Sequence, residues 1–350
     1  MNPFTRTFLG LGIAAGAVAA ALAQAAAAQP TNEATSKPWV APGTSGSPID
    51  GTSFHAQVLL DAAGFSPGVI DGRKGLSLTQ AIKGFQEANG MESSGKLDEA
   101  TRQALLRNAR PATAMVTLGH DDVVGRFVYP FPSKPEAQAD LSFLGYRNML
   151  EKLAERYHTT PDTIVALNGP DKLIGPGQKL RLPNVIPASR DYSGAKDKQA
   201  MLMNLLNVNA NQPKGKSVLV DKSEGVLKVL DESDKVVAQF PVTTGSGHDP
   251  LPLGTWKATT YSFLPPFHYQ PDLFWDVADT KDEQKLAPGP NGPVGVAWLD
   301  LTKEHYGIHG TGEPQTIGKT QSHGCLRLTN WDVMRLSRMV EPGFTAVFQA

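Results

Sequence analysis

Cysteine is almost missing from this 350-residue chain: Cys325 is the only one. A single thiol excludes any internal disulfide. An excess of charge of either sign is missing too. The 33 Lys and Arg are balanced by 34 Asp and Glu, and a formal net charge of −1 gives no electrostatic footing for nucleic acid. Near the amino terminus, Arg6 is followed by an Ala/Gly-rich apolar run from Phe8 to Ala23. The small-residue patterns Ala21-Leu22-Ala23 and Ala26-Ala27-Ala28 read as cleavage sites, so residues 1–28 fit a cleaved secretory signal better than a retained anchor. There is no cysteine directly after this run to carry a lipid, and no twin-arginine pair ahead of it. Residues 29–50 lack hydrophobic periodicity and read as a flexible tether.

An unpaired thiol outside the reducing cytosol is a liability unless its reactivity is used. Cys325 stands in Ser322-His323-Gly324-Cys325-Leu326-Arg327, with His309-Gly310-Thr311 upstream. Only a thiolate attacks well, and a free thiol ionises near ~8.5, so a base or a positive neighbour is needed. Two histidines are candidates. Along a strand His323 would face the same side as Cys325, while in a tight turn its direction is open. His309 ends the strand-like run Tyr306-Gly307-Ile308-His309 and could approach from a neighbouring strand. Gly310 and Gly324 permit close backbone approach. The alternative is a buried cysteine acting as a small hydrophobe, but the flanking His-Gly pairs favour a nucleophile. His305 and His309 are four apart, a zinc-ligand spacing on a helix. Here the run reads as strand and no Glu lies between them, so no metal site is expected.

Ile308-His309-Gly310-Thr311, Ile317-Gly318 and Ser322-His323-Gly324-Cys325-Leu326-Arg327-Leu328 together resemble the signature of the L,D-transpeptidase catalytic domain, the YkuD family. Pro252-Leu253-Gly254-Thr255-Trp256 and the closing Pro342-Gly343-Phe344 run extend the resemblance over residues 216–350. It implies a β-sandwich with the site in a cleft at one end, no cofactor, and peptidoglycan stem peptides as substrate. Cys325 would be the nucleophile and His309 the proton donor and acceptor, its tautomer oriented by the Gly310 carbonyl. Backbone N–H groups around His323, Gly324 and Cys325 would hold the oxyanion. Substrate contacts are expected from Ser322, Arg327 and Thr311, and from Tyr269 and Trp275. The acyl acceptor is left open among a second stem, a lysine of an anchored protein, and water.

The chain reads as multidomain. Residues 51–110 hold three short helical patterns: a run from Phe54 stopped at Gly64, one opened by a capping box at Ser77-Leu78-Thr79-Gln80, and one capped by Asp98. With Gly68, Asp71-Gly72, Phe85-Gln86 and Gly95, they resemble a small all-α peptidoglycan-binding module. Such a module, if freestanding, predicts that removing Phe54–Arg107 weakens binding to wall sacculi more than reaction with small substrates. Residues 117–187 resemble the second half of an α/β LysM glycan-binding segment: one helix around Met149–Tyr157, another capped by Thr160-Pro161, and a strand at Lys179–Pro183. The opening strand of such a module is not recognisable ahead of Tyr146. Residues 188–215 read as a linker or a short helix with a turn. From Lys216 short alternating strands predict a mainly-β antiparallel sandwich or barrel, with one helix over Asp332–Val340. The aromatic stretch Tyr261–Ala287 reads as a long loop covering the cleft.

Overall fold

The computed structural model describes residues 47, 49–273, 282–322 and 324–350. Trp275 and His323, both expected at the site, lie outside the described residues, as does Phe274.

Three helices come first: α1 (Gly51–Ala62), α2 (Leu76–Ala88) and α3 (Glu99–Leu106). Asp50 caps α1 by accepting from Thr52 and Ser53 N–H, and Asp98 caps α3 by accepting from Thr101 N–H. Gly64, at φ +88, turns the chain where a side chain would be strained. The capping box expected at Ser77 does not form. The helix opens two residues earlier, at Leu76 rather than Leu78, and Gly75 precedes it without a side-chain cap. Leu59, Leu60, Phe65, Ile82, Phe85 and Leu105 form the core of this unit.

Next come β1 (Thr113–Thr117), α4 (His120–Val123), α5 (Pro135–Ala139), α6 (Met149–Arg156), α7 (Pro161–Asn168) and β2 (Lys179–Pro183). β1 pairs antiparallel with β2, Thr113 opposite Pro183. A strand thus precedes Tyr146 where none was recognised in the sequence, and α4 and α5 lie between it and α6. Thr160 accepts from Thr163 N–H and Pro161 fills the first turn of α7, as its sequence predicts. Leu153, Ile164, Leu180 and Leu182 share one core with Phe54, Val58 and Ile70 of the first unit, so the two pack as a pair.

Residues 188–215 contain α8 (Asp197–Leu205), whose Leu202 and Met203 enter the main core together with Leu206. The strands that follow are β3 (Ser217–Asp221), β4 (Val226–Leu230), β5 (Val236–Pro241), β6 (Gly254–Phe263), β7 (Phe267–Tyr269), β8 (Gln284–Leu286), β9 (Ala297–Leu301), β10 (Gly307–His309) and β11 (Leu326–Arg327). Helix α9 (Asn330–Met339) and strand β12 (Thr345–Gln349) close the chain. Eight strands join in the order β11-β10-β9-β6-β12-β3-β4-β5. The amino-terminal part of β6 pairs with β12 and the rest with β9, with a register shift between Ala258 and Tyr261. Such a bulge bends the strand. Val218, Leu227 and Phe240 from one half of the sheet, and Leu299, Ile308 and Leu326 from the other, form one core with Trp331 and Leu336 of α9.

Two pairings depart from the expected antiparallel pattern: β12 with β3 and β10 with β11 are parallel. The described parts of the stretch read as a covering loop contain strand. β6 runs on to Phe263, and β7 pairs antiparallel with β8, placing Phe267 opposite Leu286 and Tyr269 opposite Gln284.

Candidate active site

The parallel pairing of β10 with β11 decides which side chains meet. Ile308 is registered with Leu326 and His309 with Arg327. Side chains alternate along a strand, so Cys325, Arg327 and His309 fall on one face, while Ile308 and Leu326 go to the core, where both are buried. Gly307 is the residue beneath Cys325 in this register. A β-carbon there would sit 2.3 Å from the ring of Trp298, which occupies that space itself. Trp298 stacks on His309 with centroids 5.5 Å apart and planes at 20°.

His309, Cys325, Arg327 and Tyr269 line a common cavity of about 560 Å³ with Tyr306, Trp298 and His268. Sequence reasoning missed one wall of it: Pro135 and Gln138, from α5, also face this cavity. Ser322, Thr311 and Gly324, all described, are not among its lining residues. Ser322 is buried and its hydroxyl donates to the Cys325 carbonyl at 2.6 Å, while its backbone bonds the 244–246 segment. Thr311 accepts from the Glu313 N–H. Gly324 has φ +99, and a β-carbon there would lie 2.7 Å from the Tyr306 ring, so only glycine fits both the turn and the space.

The imidazole is held from one side. His309 Nδ1 lies 2.7 Å from the Gly310 carbonyl, an acceptor only, so Nδ1 carries the proton and Nε2 is left as the base. Burial, reinforced by the Arg327 charge, pulls the His309 pKa down to about 3, against the pull of the Gly310 bond. Burial pushes the Cys325 thiol up, with a backbone hydrogen bond from Gly307 and the Arg327 charge working the other way. The thiol reaches the His305 carbonyl at 3.6 Å. Both directions favour an uncharged thiol and an uncharged imidazole in this cavity. His305 lines the same cavity, its Nε2 3.6 Å from the Glu304 carboxylate.

Residues 215–348 match the YkuD family model, described as "L,D-transpeptidase catalytic domain", and residues 55–105 match one described as "Putative peptidoglycan binding domain". The chain carries an L,D-transpeptidase catalytic domain behind a peptidoglycan-binding domain. Among its relatives, the "Putative L,D-transpeptidase YkuD" of Bacillus licheniformis is 54% identical over 56 residues, 16% of this chain and 34% of that protein. The "Putative L,D-transpeptidase YqjB" of Bacillus subtilis is 28% identical over 132 residues, 36% of this chain and 66% of that one. The match spans about a third of the length of the first two curated relatives. A solved L,D-transpeptidase from Xylanimonas cellulosilytica aligns at TM-score 0.35 and 13% identity, over 89% of this chain and 97% of that one.

Proposed function

We propose that the protein is a peptidoglycan L,D-transpeptidase that works through a Cys325 thioester. The observation that carries this is the shared face of β10 and β11, which turns the sole thiol, a proton-accepting imidazole and a guanidinium into one cavity. Cys325 attacks the carbonyl of the stem residue that precedes the terminal D-amino acid. His309 Nε2 takes the thiol proton and passes it to the leaving amine, so a D-amino acid departs and the acyl group stays on sulfur. An incoming amine then gives its proton to His309 and takes the acyl group. A second stem peptide as that amine gives a cross-link, a protein lysine gives anchoring, and water gives carboxypeptidase action. Backbone N–H groups around Cys325 hold the oxyanion, Arg327 contacts substrate, and the Ser322 hydroxyl steadies the Cys325 carbonyl.

The two matched domains support a place in the cell wall or periplasm, reached by the secretory signal of residues 1–28. Residues 55–105 hold the protein on its polymeric substrate. The order β1-α6-α7-β2 supports reading residues 117–187, together with β1, as a LysM-like unit interrupted by an insertion.

Full-length protein exposed to a carbapenem should gain one drug mass, located on Cys325, and the gain should be unaffected by a metal chelator. No adduct, or an adduct elsewhere, overturns the thioester reading; loss of reaction in chelator, restored by a divalent metal, brings back the zinc hydrolase. The pH dependence of alkylation tests the resting state. A raised thiol pKa leaves little thiolate at neutral pH, and a neutral His309 supplies no imidazolium to stabilise it. The iodoacetamide rate should climb steadily with pH, with a midpoint above ~8.5. A plateau already reached between about pH 5 and 7 would mean a preformed thiolate–imidazolium pair.

A further inference from the structure

The catalytic domain is braced by a side chain from outside it. Glu155, on α6, is buried, and its Oε1 accepts from Asn330 Nδ2 at 2.6 Å while its Oε2 meets the Tyr146 hydroxyl at 2.6 Å. Asn330 is the first residue of α9 and fully buried. Its Nδ2 also donates to the Pro290 carbonyl at 3.1 Å, and its Oδ1 accepts from Val296 N–H at 3.0 Å. That same Oδ1 lies against Gly310, where a β-carbon would be only 2.1 Å from it. Gly310 in turn offers the carbonyl that accepts from His309 Nδ1.

We infer that Glu155 is a positioning residue for the base His309. It fixes which way the Asn330 amide faces, Asn330 sets the Gly310 peptide, and Gly310 sets the imidazole tautomer. The amide has two ends of opposite character, and an oxygen that accepts from Nδ2 helps hold it one way round. With Glu155 in place, Nδ2 points toward α6 and Oδ1 toward Val296 and Gly310. Without it, Nδ2 keeps only the longer bond to the Pro290 carbonyl, and the amide is held less firmly against Val296 and Gly310. Burial, with the nearby Glu151 charge, raises the Glu155 pKa to about 8, against the bonds from Tyr146 and Asn330. Protonated, the acid still accepts from Asn330 on Oε1 while its own hydroxyl meets the Tyr146 oxygen. An amide at this position can reproduce both contacts. The segment ahead of the transpeptidase domain thereby completes the catalytic site. This inference rests on the proposed cysteine mechanism for its kinetic readout but not for its spectroscopic one.

The test compares full-length Glu155→Leu with Glu155→Gln. In the Leu variant the limiting rate of Cys325 acylation by a carbapenem should fall about tenfold while the half-saturating concentration stays within about twofold. The Gln variant should keep the wild-type rate within about threefold, since it retains an acceptor for Asn330. The ¹⁵N shifts of the His309 ring should report the single Nδ1–H tautomer in wild type and Gln variant, and a mixture in the Leu variant. Should Glu155→Leu not fold, Glu155→Asp withdraws the carboxyl by one methylene and should show the same direction of change. Wild-type rate and a single tautomer in a folded Leu or Asp variant overturn the inference. If wild-type protein takes up no carbapenem at all, the function reading fails, while the tautomer comparison still decides the role of Glu155.

Discussion

Replacing Cys325 with Ala should abolish acyl-enzyme formation and the release of a D-amino acid from a tetrapeptide stem. The expected loss is roughly four orders of magnitude or more, because the proposed mechanism carries the acyl chain on the thiol and Cys325 is the sole cysteine. Tyr306, which also lines the cavity, is a poor substitute, raised above the usual phenol pKa by burial and by the neighbouring Cys325 and Asp249. Cys325→Ser should be nearly as inactive. A hydroxyl ionises far less readily than a thiol, and a His309 lowered to about 3 is a weak base for it. Both variants should unfold within about 1 kcal/mol of wild type, since the side chain faces a cavity and loses a single heavy atom at most. Intact-mass spectrometry after carbapenem exposure and chromatography of released D-amino acid measure the two activities. Substantial turnover by the Ala variant would sink the cysteine mechanism.

The thiol and the imidazole that line one cavity stand out in the sequence because their signals are local: a lone cysteine, two His-Gly pairs and a short separation. The strand-like run ending at His309 appears as β10, and Thr160-Pro161 opens α7. What the sequence could not show is set by pairings between distant segments. The parallel register of β10 with β11 places Arg327 beside His309, yet nothing in either three- or two-residue strand announces a partner or its direction. Ser322, expected among the substrate contacts, donates its hydroxyl to the Cys325 carbonyl three residues on, a bond the motif does not announce. Gly75, without a side chain, displaced Ser77 as the start of α2. Pro135 and Gln138 line the cavity from nearly 200 residues away, and Glu155 reaches Asn330 across a separation of 175. Asn330 alone carried a signal, a polar residue directly after the motif at the start of a helix that is otherwise largely core.

Asp61→Ala should destabilise the whole protein by about 3–5 kcal/mol, although Asp61 belongs to the peptidoglycan-binding unit and touches no candidate catalytic group. Its carboxylate takes both ends of the Arg335 guanidinium, at 3.0 and 2.7 Å, and Arg335 belongs to α9 of the catalytic domain. All the partners are buried: Asp61 is 2% exposed, Arg335 5%, and His158 and Asp332 0%. The His158 ring nitrogens face Asp61 and the Leu206 carbonyl, and Asp332 accepts from Ser66. Three segments of the chain therefore meet on one charged cluster. Truncating Asp61 leaves Arg335 with Asp332 as its carboxylate partner, and an under-compensated buried cation is costly. Burial alone would raise the Asp61 pKa, but Arg335 and His158 hold it well below the usual carboxylate range. A depressed pKa stabilises the fold above the unfolded value and loses that contribution as pH falls through the folded one. The gap between wild type and variant should therefore be full at neutral pH and narrow below about pH 4. Urea unfolding of both proteins at several pH values measures it; equal midpoints at neutral pH would contradict the cluster's role. The cluster also changes what truncation can teach. The first unit pairs its Gly64–Ser66 backbone with Gln239 of β5 and packs Phe65 and Phe85 in one core with Val236. Removing Phe54–Arg107 would bare that edge strand and strip Arg335 of Asp61 together, so the truncated protein should lose carbapenem reactivity as well as sacculus binding. The unit is part of the catalytic fold, and its binding role is separable only by substitutions on its exposed face.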